Sequence, residues 1–159
     1  MNELSGKLLA MAELSTLQVF DTMVNMQGVV LSRSVEPSDI PVNGVGGCVS
    51  FAGNLSGVVY LLMSESLAQR IARTLLGCAT AEPAEVKDVV GELTNMVAGG
   101  LKNQLAQEGF DSCLTIPTFI RAIDTTINVG NLNLAATNIV RLSGGEETIQ
   151  VRIAARKMP

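Results

Sequence analysis

The chain contains no histidine, no tryptophan, one tyrosine, four phenylalanines and three cysteines in 159 residues. Without histidine, serine-hydrolase and cysteine-protease triads of the usual kind cannot be built, and most zinc sites lose a standard ligand. Cys48, Cys78 and Cys113 lie far apart with no Cys-x-x-Cys pair. An odd, scattered set reads as small buried hydrophobes in a reducing compartment rather than as a metal or redox site. Charged residues make up only 16% and the net charge is −4, the wrong sign for a nucleic-acid backbone binder. An acidic balance suits a partner with a basic or metal-bearing site. No run of about 18 apolar residues occurs, so no membrane insertion is expected. The N-terminal stretch MNELSGKLLAMAELSTL carries Glu3 and Glu13 and lacks the basic region and long apolar run of a secretory signal. A cytoplasmic placement follows as the expectation.

What is present is aliphatic. Apolar residues make up 47% of a chain of about one domain's length, so residues 1–159 are read as a single domain able to bury a core without staples. Apolar positions spaced by three and four predict one amphipathic helix within 3–27, with Gly28 as its end signal. Residues 32–46, with Pro37, Pro41, Gly44 and Gly46, read as a connector in their first part. Residues 48–53 and 57–63 predict two strands of a hairpin around Asn54-Leu55-Ser56. Ser64 or Ser66 caps a second helix that Gly77 ends. Pro83 opens a third helix, where its missing N–H costs nothing, and that helix runs to about Gln107 with Gly109 as terminator. Segments near 113–124, 126–129, 133–142 and 147–156 predict strands, the last two joined through the turn Ser143-Gly144-Gly145-Glu146. Helices followed by a run of strands predict an α+β fold, with layered helices on an antiparallel or mixed sheet.

The third helix carries the most informative pattern. At about 100° per residue, positions 88, 92, 95 and 99 fall within an arc of roughly 60°. Val86, Val89, Val90, Leu93, Met96 and Val97 centre on nearly the opposite side. A helix buries its apolar stripe, so Asp88, Glu92, Asn95 and Gly99 form an outward row open to a partner. Gly91, Gly99 and Gly100 each cost on the order of 1 kcal/mol against alanine in a helix interior, which calls for a packing or docking reason. Small residues there let another backbone come close. A Glu-x-x-Asn pair alone arises by chance about 0.4 times in a chain this long. With Asp88 four residues before Glu92, and Pro117 following Asn95 after 21 intervening residues, the chance of the whole set falls to about one in a thousand.

The set Asp88, Glu92, Asn95 and Pro117 resembles the signature of the CheC/CheX/FliY phosphatases of bacterial chemotaxis. The interval to Pro117 is one residue shorter than in that family. A second copy of the motif, present in CheC-type relatives, is absent at the matching place, since Phe20-Asp21-Thr22-Met23-Val24-Asn25 has no Glu three before an Asn. One motif per chain, and the order of elements, resemble CheX. The resemblance implies a CheC/CheX-like fold and a homodimer made by joining sheets, with the C-terminal strands as candidate edge. It also implies a protein substrate, a CheY-like receiver domain phosphorylated on aspartate. Magnesium is then expected on the receiver, with no cofactor of the chain's own.

An acyl phosphate is already labile, and the enzyme mainly has to place water in line with the leaving carboxylate. Asn95 fits this task, because a neutral amide both donates and accepts hydrogen bonds without adding negative charge. Glu92 would pair with a receiver lysine and fix the docking register, as the resemblance implies. Asp88 would support the helix surface or touch the partner, and a carboxylate near a helix N-terminus is also favoured by the dipole for about 0.5 kcal/mol. The alternative is a non-catalytic receiver-binding adaptor of the same fold, which would have no need of the amide.

Overall fold

The structure is a computed structural model that describes residues 2–159. Asn2 accepts the Leu4 N–H at 2.8 Å and caps α1 (Glu3–Val24), which Asn25 closes in the left-handed conformation. The expected stop, Gly28, instead opens β1 (Gly28–Ser34). Asparagine does the work of a terminal glycine here because its short polar side chain tolerates positive φ. The connector expected over 32–46 shrinks accordingly to residues 35–39, since β2 already begins at Ile40 and runs to Gly53. Pro41 is accommodated at the second position of that strand. Gly44, at φ 140°, takes up a register shift against a neighbouring strand that a side chain would strain.

The remaining elements follow as β3 (Leu55–Met63), α2 (Glu65–Leu76), α3 (Pro83–Gln107), β4 (Ser112–Leu114), β5 (Thr118–Ile127), β6 (Leu134–Leu142) and β7 (Thr148–Lys157). Ser64 caps α2 and Gly77 ends it at φ 68°. Pro83 begins α3, and the Glu85 side chain accepts the Glu82 N–H at 2.9 Å. The single strand expected over 113–124 is broken at Thr115–Pro117 into β4 and β5, and residues 126–127 belong to β5 instead of starting a strand of their own. A proline cannot donate to a ladder, which accounts for a break there.

The seven strands form one antiparallel sheet in the order β1-β6-β7-β3-β2-β4, with β5 beside β4 on the same edge of β2. The last two strands are therefore interior. The free edges belong to β1 and to β4 with β5, and not to β6 or β7 as an edge at the C-terminal strands would require. The three helices pack on one face, where Phe20, Leu67, Val90, Leu93 and Leu101 meet Val49, Leu61, Ile149 and Val151. Tyr60 and Leu62 point to the other face and pack with Ile40 and Val42. Because both faces of β3 are covered, Gly57–Met63 reads as a nearly continuous apolar run.

Two close approaches fix the depth of α3. Gly47 on β2 lies under Thr94, where any side chain would collide with the threonine, and Thr94 Oγ1 donates to Val90 O at 2.7 Å. On the other flank Gly100 lies against Ser15 of α1, whose Oγ donates to Val97 O at 2.8 Å. The outward row is thus carried on a helix held by backbone-close contacts to both the sheet and α1.

Candidate functional site

On this anchored helix, Val86, Val89, Val90, Leu93, Thr94, Val97 and Ala98 are buried, while Asp88 and Glu92 are exposed and Asn95 and Gly99 half-buried. The amphipathic reading of the helix is correct in register. A cleft of about 350 Å³ opens beside the row, lined by Lys87, Asp88, Gly91, Glu92, Pro117 and Phe119. The structure therefore brings Pro117 to Asp88 and Glu92 although the rest of α3 and β4 separate them in sequence. A methyl added at Gly91 would stand 3.6 Å from Pro117 Cβ, so helix and loop approach to ordinary contact distance.

Asn95 lies outside the lining of that cleft, about 4.5 Å further along the helix axis than Glu92. No hydrogen bond or ion pair holds the side chains of Asp88, Glu92 or Asn95 among the described residues. They stand as open donors and acceptors. Gly99 faces open space, with nothing within 4 Å of an added Cβ, so it has no packing reason of the kind Gly100 has. Among the described residues no group of three His, Cys, Asp or Glu side chains comes together. The cleft thus offers hydrogen-bonding and charged groups, and two carboxylates at most, for work on a partner.

Sequence reasoning missed Lys87, Phe119 and Ile116. Lys87 is the one cation of the cleft lining. Phe119, the second residue of β5, lies beside Pro117 in the cleft lining. Arg121 stacks over the Phe119 ring at 5.8 Å and pairs with Glu65 at 2.8 Å, joining β5 to the start of α2. The cysteines need correction. Cys48 is only half-buried, Cys78 and Cys113 are exposed, and all three are free thiols. Cys78 follows the Gly77 cap out of α2, and Cys113 points outward from the short edge strand β4. Burial pushes the Cys48 thiol pKa up.

Among the described residues, no helix is long and apolar enough to cross a membrane. The family model described as chemotaxis phosphatase CheX matches residues 45–139, a span that contains most of β2, all of β3, α2 and α3, and the whole cleft. No curated protein matches the chain. Among solved structures, the fold is similar to the chemotaxis protein CheX of Desulfovibrio desulfuricans (TM-score 0.83, 20% identity, covering 94% of this chain and 99% of that one). It is similar to a CheC-like superfamily protein of Shewanella sp. PV-4 (TM-score 0.81, 26% identity, 98% and 99% covered). It is also similar to a chain of the CheX–CheY–BeF3–Mg complex of Borrelia burgdorferi (TM-score 0.73, 22% identity, 94% and 96% covered).

Proposed function

The chain belongs to the chemotaxis phosphatase CheX family, and on that premise we propose that it hydrolyses the aspartyl phosphate of a CheY-like receiver domain, in the cytoplasm. The observation that carries this reading is the outward Asp88–Glu92–Asn95 row on a rigid helix, with Pro117 brought up to it. Glu92 reaches from the cleft to a lysine of the receiver and sets the register. Its carboxylate loses water only as the complex closes, so the pair decides recognition more than affinity. Asn95, one turn further on, holds the attacking water by donating and accepting at once, and leaves the entering oxygen free to approach the phosphorus opposite the aspartyl oxygen. Water's oxygen bonds to phosphorus, the P–O bond to the aspartate breaks, and inorganic phosphate leaves with the receiver carboxylate restored. Magnesium, held by the receiver, offsets the phosphoryl charge. The Borrelia complex, which by its name holds CheX, CheY, BeF3 and magnesium together, supports the choice of partner.

The test is phosphate release from a phosphorylated receiver by wild type, Asn95→Ala and Glu92→Ala. Asn95→Ala should lose most turnover and keep binding. Glu92→Ala should lose both. Unchanged turnover in Asn95→Ala would sink the mechanism, and a wild type that binds the receiver without turnover would favour the adaptor reading.

A homodimer is part of the proposal. With β6 and β7 interior and the β4–β5 edge bordering the cleft, β1 is the edge that can pair with a second copy while both sites stay open. Val29 and Leu31 on it are 50% and 52% exposed. Light scattering should give a dimer mass for the wild type, and Leu31→Lys should shift it to monomer. A monomeric wild type overturns this part.

A further inference from the structure

We propose that Ile116, with Pro117 and Phe119, forms an apolar shelf on which the receiver domain seats, beside the acidic row that pairs with its cation. This rests on the receiver reading above and adds Ile116, a binding determinant outside the motif. Ile116 is 85% exposed, the most exposed of the large hydrophobic side chains among the described residues. A single exposed aliphatic residue would be ordinary. Here its display is built in. Thr115 on its N-terminal side is tied twice to β2, its N–H donating to Ser50 O at 2.9 Å and its Oγ1 accepting the Ser50 N–H at 3.0 Å. Pro117 on its other side restricts Ile116 to extended backbone, and Pro117 is itself packed toward Gly91. Its backbone is held between two anchored neighbours, and the side chain stands clear of the sheet.

The chemistry of the occupant follows from what adjoins the shelf. Pro117 and Phe119 line the same cleft as Asp88 and Glu92. A partner seated there presents a cation to the carboxylates and an apolar patch next to it. Because the backbone on both sides of Ile116 is held, its burial orders only the side chain, which limits the entropy cost of using it as an anchor.

The experiment compares Ile116→Asp with wild type for binding of a beryllofluoride-activated, magnesium-loaded receiver and for turnover of the phosphorylated receiver. Ile123→Asp serves as control, being 79% exposed on the same edge but about 13 Å beyond Phe119 along β5. The Ile116 variant should melt like wild type, bind about tenfold more weakly and raise KM by a similar factor with kcat unchanged. Ile123→Asp should bind like wild type. Binding of Ile116→Asp within twofold of wild type, or an equal loss in Ile123→Asp, overturns the shelf. If Asn95→Ala then still loses turnover, the phosphatase reading survives that failure. Binding that falls with Ile116→Asp in a protein without turnover would support the shelf and overturn the phosphatase reading.

Discussion

Gly91 and Pro117 face each other across the cleft, with the Cβ that alanine would carry at 91 standing 3.6 Å from Pro117 Cβ. That is ordinary contact, and Gly91 has unexceptional helical backbone, so the fold itself does not require glycine there. Gly91→Ala is therefore expected to raise stability by about 0.5–1 kcal/mol through helix propensity. Gly91→Leu has to send its extra atoms into the space beside Glu92. It should melt near wild type and raise KM for the phosphorylated receiver about tenfold. A Gly91→Ala protein that melts well below wild type would show that the helix and the loop are packed more tightly than this spacing allows.

Gly99 and Gly100 are neighbours with opposite requirements. An added Cβ at 99 meets nothing within 4 Å, whereas at 100 it runs into the buried Ser15 side chain, 3.0 Å from its Cβ. Ser15 cannot simply swing aside, since its hydroxyl is engaged with Val97 O. Gly100→Ala should cost about 1–3 kcal/mol by overpacking, and Gly99→Ala should be neutral or slightly stabilising. Denaturant titration of the pair checks both. If Gly99→Ala weakens receiver binding while leaving the melt unchanged, the glycine at the end of the row is a docking position.

The parts of this fold written in local chemistry were legible in the chain. Ser64, Gly77 and Pro83 mark helix ends by capping, left-handed backbone and a dispensable N–H, and the structure uses each so. The Asp88–Glu92 row was legible because a helical period fixes a face without any tertiary knowledge. β1 was not. GVVLSRS pairs on one side only and is exposed at most positions, so it carries neither a buried run nor a clean alternation. The split between β4 and β5 was hidden too, because it depends on how β2 pairs with both segments, and so was the cleft wall they supply. Cys78 and Cys113 were misplaced since residue type gives an average burial, while a loop and an outward strand position set the real one.

Glu147, just after the β6–β7 turn, accepts the Ser66 hydroxyl at 2.5 Å and the Ser64 hydroxyl at 2.7 Å through the same oxygen. These bonds, Ser66's first and Ser64's second, hold its carboxyl below the usual carboxylate range. They also tie the turn to the cap of α2. Glu147→Ala should release that tie, and Ser64→Ala should remove the cap as well, at a cost of about 1 kcal/mol. Thermal melts at neutral pH should rank Ser64→Ala at or below Glu147→Ala. The reverse order would show that Glu147, rather than the serine, holds the helix start.

Glu13 and Arg33 join α1 to the edge strand β1 through two parallel bonds of 2.8 Å, Nε to Oε2 and Nη2 to Oε1. The Arg33 hydrogen bonds hold the Glu13 carboxyl below its ordinary value. A carboxylate with a depressed folded pKa contributes stability above its unfolded pKa, about 4.3, and that contribution fades as pH falls through the lower folded value. Because the arginine side is half exposed, solvent screening limits the pair to about 1 kcal/mol or less. For a domain of this size, that corresponds to a melting shift of about 2–4 °C at most. Glu13→Gln should therefore melt slightly lower than wild type at pH 7. The gap should narrow from about pH 4 downward and close once the wild-type carboxyl is protonated. It should also shrink in high salt, as an exposed ion pair does. A gap that persists unchanged at pH 2 would mean that the glutamate acts through packing against α1 and not through its charge.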